Sequence, residues 1–160
     1  MFRKNEKSPD DFWREYEEKI GEKVLARSLG QYLSGWEAFD EKKWNEIWGL
    51  LIATSGGFHF HHFPHMGWLE AITHFTSGAE APKEKTFFVP KEQLLSAALV
   101  KETKWWKKIL SPSAPRLVIR YRNNAGEERE LILETDYKSD DLMEALDKHA
   151  RESNERREEP

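Results

Sequence analysis

The strongest pointer to the class of fold is residues 47–63, which read Ile47-Trp48-Gly49-Leu50-Leu51-Ile52-Ala53-Thr54-Ser55-Gly56-Gly57-Phe58-His59-Phe60-His61-His62-Phe63. The first half is an apolar run, and the second half alternates aromatic rings with imidazoles. Between them, Ser55-Gly56-Gly57 has the composition of a tight turn. Two such runs joined by a short turn predict a β-hairpin, with strands at Trp44–Thr54 and Phe58–Phe63.

A second hairpin is predicted near the C-terminus, where Arg116–Arg122 and Glu128–Thr135 are strands of similar length. The residues between them, Asn123-Asn124-Ala125-Gly126, are those that turns favour. Strand character is also predicted at Val24–Leu33, Thr86–Val89 and Leu95–Val100, so the chain carries roughly seven short strands.

Two helices flank these strands. Ser8-Pro9-Asp10-Asp11 is typical of a helix start, and Gly21 is a natural stop, so a helix is predicted over about residues 9–20. Its apolar stripe comprises Phe12, Trp13, Tyr16 and Ile20. Ser139 is predicted to cap a C-terminal helix with an apolar face of Leu142, Met143, Leu146 and Ala150. The strongly charged segment after Ala150 is interpreted as a solvated, fraying end.

This order of elements predicts a mainly β (α+β) fold. We expect a strongly bent, seven-stranded antiparallel sheet or partly open barrel, capped by the C-terminal helix because its apolar stripe must be buried. The chain divides into an N-terminal tail and helix (1–20), a domain over 21–150 and a charged tail (151–160). Within the domain, residues 64–85 interrupt the strand pattern, and their helical spacing predicts an insertion.

Composition excludes several classes of protein. The chain has 160 residues, is 38% hydrophobic and carries a formal net charge of −4. It can therefore bury a core, and no general polyanion-binding surface follows from its charge. It has no cysteine, which excludes disulfides, thiol catalysis and thiolate zinc sites. Its apolar runs are too short to cross a bilayer and no signal peptide is recognisable, so a cytoplasmic location is expected.

Three segments resemble the pleckstrin-homology superfold, and in particular its GRAM-like and bacterial PH-domain-like branch. Residues 21–25 are similar to the entry into the first strand, and residues 49–60 to the glycine, apolar strand, Thr-Ser turn and aromatic strand. Residues 88–94, with Pro90 and Glu92, are similar to the apolar-Pro-x-acid step between sheet layers. The resemblance implies a PH-like fold and a non-catalytic adaptor that binds lipids, phosphoinositides or protein partners.

The loop where a phosphoinositide site is expected has few basic residues. Such a site needs clustered Lys and Arg in the first hairpin loop, whose cations hold the phosphates. The loop here offers Lys42 and Lys43 among the carboxylates of Glu37, Asp40 and Glu41. This composition argues against a phosphoinositide partner.

A more basic segment supplies the candidate contact residues for a partner or membrane, namely Lys104, Trp105, Trp106, Lys107 and Lys108. Indole rings and ammonium groups suit a membrane interface or a protein partner. They also suit a nucleic-acid strand, although the acidic chain argues against that partner. The remaining interpretation is an ordinary strand, in which one tryptophan faces the core and the lysines are solvated.

The histidines offer a hypothesis from another class. On a strand, His59 and His61 share one face, and His65 or His74 folding back would complete a set of imidazole ligands for Zn or Ni. The alternatives are an outward strand face that happens to carry imidazoles, and a surface that responds to pH.

Enzymatic activity finds little support in the sequence. The chain lacks a GxSxG elbow, a Walker loop and a dinucleotide fingerprint, and nothing positions a substrate beside the one His–Glu pair, His74 and Glu70. The sequence therefore predicts a binding or scaffold module without catalytic residues or an obligatory cofactor, and its seven tryptophans make self-association an option.

Overall fold

A computed structural model describes residues 8–40, 47–62, 86–100, 115–135 and 139–159. These residues form seven strands: β1 (Val24–Ser34), β2 (Ile47–Thr54), β3 (Gly57–His62), β4 (Thr86–Pro90), β5 (Leu94–Val100), β6 (Arg116–Arg122) and β7 (Glu128–Thr135). The helices are α1 (Pro9–Ile20), the short α2 (Glu37–Asp40) and α3 (Asp140–Glu158), and a 3₁₀ turn spans Lys91–Gln93. The predicted basic segment, the 64–85 insertion, His65 and His74 lie outside the described residues.

The strands form one antiparallel sheet in the order β4-β3-β2-β1-β7-β6-β5. The sheet is not closed among the described residues, since β4 pairs with β3 alone and β5 with β6 alone. Both predicted hairpins are present, and in the second one Arg116 and Arg120 lie across from Glu134 and Glu130. The predicted mainly β fold with a C-terminal helix is therefore confirmed.

Strand β2 is buried on both faces because a helix covers each side of the sheet. Leu51 and Ala53 belong to the main core, which also contains Leu142 and Leu146 of α3. Leu50 points to the opposite face, because successive side chains of a strand alternate. It belongs with Ile52 to a second core, which α1 completes with Phe12, Trp13 and Tyr16.

Local chemistry explains where α1 begins and ends. Ser8 and Asp11 form a reciprocal capping box, in which the Asp11 amide donates to Ser8 Oγ at 3.2 Å. Gly21 ends the helix with φ +71°, a left-handed conformation that glycine adopts without a steric penalty. The two boundaries predicted from sequence are both observed.

The C-terminal helix departs from its sequence interpretation at both ends. Ser139 occupies the N-cap position, but its hydroxyl pairs with Ser28 Oγ at 2.7 Å and makes no capping bond. The helix also continues to Glu158, where a fraying end was expected. Its last turns are held by tertiary bonds, since Ser153 Oγ donates to Glu92 O at 3.1 Å and Asn154 Nδ2 to Leu95 O at 3.2 Å.

We expect Leu51→Ala to lower the free energy of unfolding by about 2–5 kcal/mol, because Leu51 is fully buried and truncation leaves a cavity. Leu25→Ala is the matched control, since Leu25 lies 48% exposed on the neighbouring strand and should cost less than about 1 kcal/mol. Chemical denaturation of both variants measures the difference. Equal losses would contradict the burial of Leu51 in the main core.

Candidate functional site

A groove of about 1120 Å³ lies beside the corner between β1 and α2. One wall is the segment Gly35–Asp40, and another is the β6–β7 turn with Asn123, Asn124 and Ala125. Phe88 and Pro90 of β4 contribute from the far edge of the sheet. The groove therefore uses elements that lie far apart in sequence and come together because the two ends of the sheet approach each other.

Hydrogen bonds between α2 and its neighbours hold the floor of the groove. The Asp40 carboxylate accepts a bond from Tyr32 Oη at 2.6 Å and another from the Gly35 amide at 3.1 Å. Tyr32 Oη in turn accepts from the Trp36 amide at 2.6 Å. From the other side, Tyr121 Oη donates to Gly35 O at 2.9 Å. These bonds fix the corner in one geometry, and with it the position of the Trp36 ring.

Burial moves the pKa values of both tyrosines of this corner further above neutral pH. It raises the pKa of the Tyr32 hydroxyl, and the neighbouring Asp40 carboxylate raises it further. Burial also raises the pKa of Tyr121. Both hydroxyls therefore remain hydrogen-bond donors throughout the physiological pH range.

The exposed lining of the groove is acidic and aromatic. Its carboxylates are Glu37, Asp40, Glu128 and Glu130, against the single guanidinium of Arg129. Its aromatic residues are Trp36, Phe88 and Tyr121. The Trp36 ring stacks on Phe87 with centroids 4.5 Å apart, which anchors it to the core. A groove with this lining favours a ligand that carries both positive charge and apolar surface.

A second polar cluster lies on the face of the sheet that α1 covers, where His59 and His61 are side by side as predicted. Their ring centroids are 6.1 Å apart. His59 Nε2 lies 2.9 Å from Glu22 Oε2, and His61 Nε2 lies 2.7 Å from Tyr16 Oη. Each Nε2 atom thus has a protein partner, and both partners belong to α1 or to the turn that follows it.

Glu22 links this cluster to the β2–β3 turn. Its carboxylate also accepts a hydrogen bond from Thr54 Oγ1 and lies directly over Gly56, where a Cβ atom would collide with it. Burial acts to raise the pKa of Glu22, but the bonds from Thr54 and His59 outweigh it, so the pKa is lowered. This carboxylate joins α1 to the hairpin.

The described residues contain no group of three His, Asp or Glu side chains placed to hold a metal ion. Two of the proposed ligands, His65 and His74, lie outside those residues, as do Lys104, Trp105, Trp106, Lys107 and Lys108. Of the candidate residues identified from sequence, the structure brings together only His59 and His61. Sequence reasoning missed the groove, since it considered the first hairpin loop only as a phosphoinositide site. Trp36, an indole beside Glu37 of that loop, was the signal available.

Comparisons with known proteins add no family or function. No protein-family model matches the chain, and no curated protein is detectably similar to it. One solved structure that resembles it is the C-terminal domain of an unknown protein from Leishmania infantum, at 13% identity and a TM-score of 0.40. The match covers 84% of this chain and 94% of that one. In the described part of the chain, no helix is long and apolar enough to span a bilayer.

We expect acid to loosen the contact between α1 and the sheet through His61. Burial, followed by the charges of His59 and Lys19, lowers the His61 pKa to about 4. In the unfolded chain the histidine has an ordinary pKa, so on acidification it takes up a proton before the folded chain does. The contribution of neutral His61 to the free energy of unfolding is therefore fully present above about pH 6.5 and decreases toward pH 4. Between neutral pH and pH 5 we expect the free energy of unfolding to decrease by about 2 kcal/mol.

Denaturation of the wild type and His61→Gln at the two pH values measures this effect. Glutamine retains a polar group for Tyr16 but does not titrate, so the variant should lose about 2 kcal/mol less than the wild type on acidification. Identical pH dependence in the two proteins would show that His61 is not the group responsible.

Proposed function

We propose that this chain is a non-catalytic binding module whose groove receives a lysine- or arginine-rich segment of a protein partner. The observation that carries the proposal is that the groove is lined by more carboxylates than cations, together with aromatic residues. The non-catalytic, PH-like character comes from the sequence resemblance, and the strand order followed by a C-terminal helix supports it. A cytoplasmic location is part of the same proposal.

The dimensions of the groove suit a segment of polypeptide. Pockets for small molecules typically enclose about 300–1,000 Å³ and bury most of their ligand. This groove has about 1120 Å³ and is partly open to solvent. An extended peptide can lie in such a groove while its ends continue into the rest of the partner.

The electrostatics of the groove favour a cationic partner. Glu128 is paired with Arg120 at 2.9 Å, and Arg129 with Glu127 at 2.8 Å, so these charges are partly compensated. Glu37 and Glu130 form no ion pair with any other described residue. Arg120 lies across from Glu130 but pairs with Glu128, so the carboxylates of Glu37 and Glu130 can attract lysine or arginine, and they would repel a phosphate or an anionic lipid.

The aromatic residues provide the second half of the recognition. Lysine and arginine carry apolar stems that pack on rings while their charged ends reach carboxylates. Trp36 lines the groove together with Glu37 and Glu130, so a basic side chain can use the ring and a carboxylate of the same groove. An anionic or purely apolar partner would use only part of this surface.

We expect a labelled hexalysine peptide to bind the wild type and the double variant Glu37→Lys/Glu130→Lys to bind it at least about tenfold more weakly, which corresponds to about 1.4 kcal/mol. Fluorescence anisotropy at low salt measures the affinities. The matched control is Glu155→Lys/Glu158→Lys, which makes the same charge change on exposed positions of α3 outside the groove. If both double variants lost affinity for the peptide equally, the loss would come from the net charge of the protein, and the groove would not be the binding site.

Trp105→Ala/Trp106→Ala tests the other surface, because the sequence hypothesis assigns partner or membrane contact to Lys104, Trp105, Trp106, Lys107 and Lys108. The groove proposal expects this variant to retain hexalysine binding. Loss of binding here with retention in the glutamate variant would transfer the partner site to the Trp-Trp-Lys-Lys segment.

The metal hypothesis makes a separate prediction. A metal at His59 would have to displace the Nε2 contact with Glu22 or use the other nitrogen, so the binding-module proposal expects no stoichiometric Zn or Ni uptake dependent on His59. Titration of wild type and His59→Ala with Zn and Ni, followed by elemental analysis, is the measurement. About one equivalent bound by the wild type and lost in the variant would restore the site of His59, His61, His65 and His74.

A further inference from the structure

The side of the sheet on which α1 lies also carries large apolar residues that the helix does not cover. Leu29 and Leu33 of β1 are 41% and 38% exposed, and Trp48 of β2 is 52% exposed. All three alternate with buried residues along their strands, so they point to the side of α1. Trp48 lies directly across from Gln31, between the two leucines, so the three side chains form one patch. Contiguous apolar surface of this kind marks an interaction site.

The same side of the sheet continues over β7, β6 and β5, and we call these outward residues, together with those of β1, the outer face. Ile132 of β7 lies across from Val118 of β6, and both side chains are partly exposed. Val100 of β5 is 55% exposed and lies across from Arg116 of β6. Arg116 in turn lies across from Glu134 of β7. The outer face therefore combines apolar residues with charges of both signs.

The fold itself does not use the charges of Arg116 and Glu134. The two residues are paired across β6 and β7, yet neither side chain forms an ion pair with any residue in the described ranges. Arg120, the next outward residue of β6, differs in this respect, since it pairs with Glu128 of its own chain at 2.9 Å. A guanidinium and a carboxylate thus stand side by side on an apolar face, both available to a partner.

The register of β6 and β7 makes the outer face complementary to itself. In a symmetric dimer the same patch of both copies meets about a twofold axis. An axis that runs between β6 and β7, parallel to them, exchanges the positions of the two strands and keeps the facing sheets aligned, as is usual in face-to-face packing. Arg116 of one copy then faces Glu134 of the other, and Val118 faces Ile132 in the same way. Each of these contacts joins opposite charges or two apolar side chains.

The same axis sets β1 of one copy against β5 of the other. Leu33 comes to lie opposite Ala98, and Trp48, one strand further out, lies beside Val100. Each copy thereby covers the exposed apolar residues of the other. A basic peptide on this face would be repelled by Arg116, and an anionic membrane would be repelled by Glu134.

We propose that two copies of this chain pair through the outer face as a symmetric dimer. Contacts between Arg116 and Glu134, formed twice, set the register, and the apolar residues of the four strands supply the buried area. The dimer and the groove can fail separately, because the groove adjoins the β6–β7 turn at the opposite end of these strands.

Sedimentation velocity of the full chain, at concentrations up to about 100 µM, measures the dimer. We expect the wild type to have twice the mass of one chain. Arg116→Glu or Glu134→Arg should weaken the dimer at least about tenfold, because each creates two like-charge contacts. Arg156→Glu and Glu144→Arg are matched controls at exposed positions of α3 and should leave the dimer intact. A monomeric wild type, or equal weakening in the controls, would overturn the proposal.

A mixture of the two charge variants tests the pairing itself. Arg116→Glu has carboxylates at both positions and Glu134→Arg has guanidinium groups at both, so each variant repels itself and attracts the other. An equimolar mixture should form a heterodimer, and the double variant Arg116→Glu/Glu134→Arg should recover the homodimer. Recovery would also show that both substitutions leave the fold intact. A mixture or a double variant that stays monomeric would overturn the pairing of Arg116 with Glu134.

Leu33→Ser tests the apolar part of the interface, with Leu25→Ser as its control on the same strand. Leu25 is 48% exposed, but β1 pairs with β7 only from Gly30 onward, so Leu25 lies beyond the contact. We expect Leu33→Ser to weaken the dimer by about tenfold and Leu25→Ser by less than about threefold. Equal effects would overturn the position of the axis.

A lipid surface is the other occupant that an exposed tryptophan suits. Sedimentation of the wild type and of Trp48→Ala with phosphatidylcholine vesicles examines it. We expect no retention of either protein, because the dimer covers Trp48. A monomeric wild type that the vesicles retain, with retention lost in Trp48→Ala, would overturn the dimer and assign the outer face to a membrane.

Discussion

The burial of β2 on both faces is the constraint on which the rest of the structure depends. Leu51 and Ala53 face the core that α3 covers, while Leu50 and Ile52 face α1, so both faces of the strand are buried from Leu50 to Ala53. A central strand of this kind needs a cover on each face, and the two helices provide one each. The position of α1 follows from this requirement, as does the position of the two imidazoles beneath it.

Two concave surfaces of different charge lie at the margins of the sheet. Where β4 approaches the β6–β7 turn, the corner held by Tyr32 and Asp40 leaves an acidic groove. Where the 3₁₀ turn meets α3, the bonds to Glu92 O form a pocket with an excess of cations. The chain as a whole is only mildly acidic, but the fold separates its charges into regions of opposite character.

Most of the fold could be predicted from local patterns, and most of the candidate site could not. Ser8, Pro9 and Gly21 mark the ends of α1, because caps and stops act on neighbouring residues. The alternation of phenylalanine and histidine assigned the faces of β3, because the side-chain period of a strand is two. The extent of α3 was underestimated, since Ser153 and Asn154 are polar in sequence and find their partners on Glu92 and Leu95 far along the chain.

The sequence by itself determined the seven strands, both hairpins and the ends of α1. These features depend on residues within a few positions of one another or on a simple period. Only the tertiary structure decided that Trp36 and Tyr121 share a groove, that Glu22 binds His59, and that His149 donates to Thr54. Such pairs are separated by tens of residues, and no local pattern encodes them. They meet because the sheet and the two helices bury a common apolar surface and bring the polar groups at its margins together.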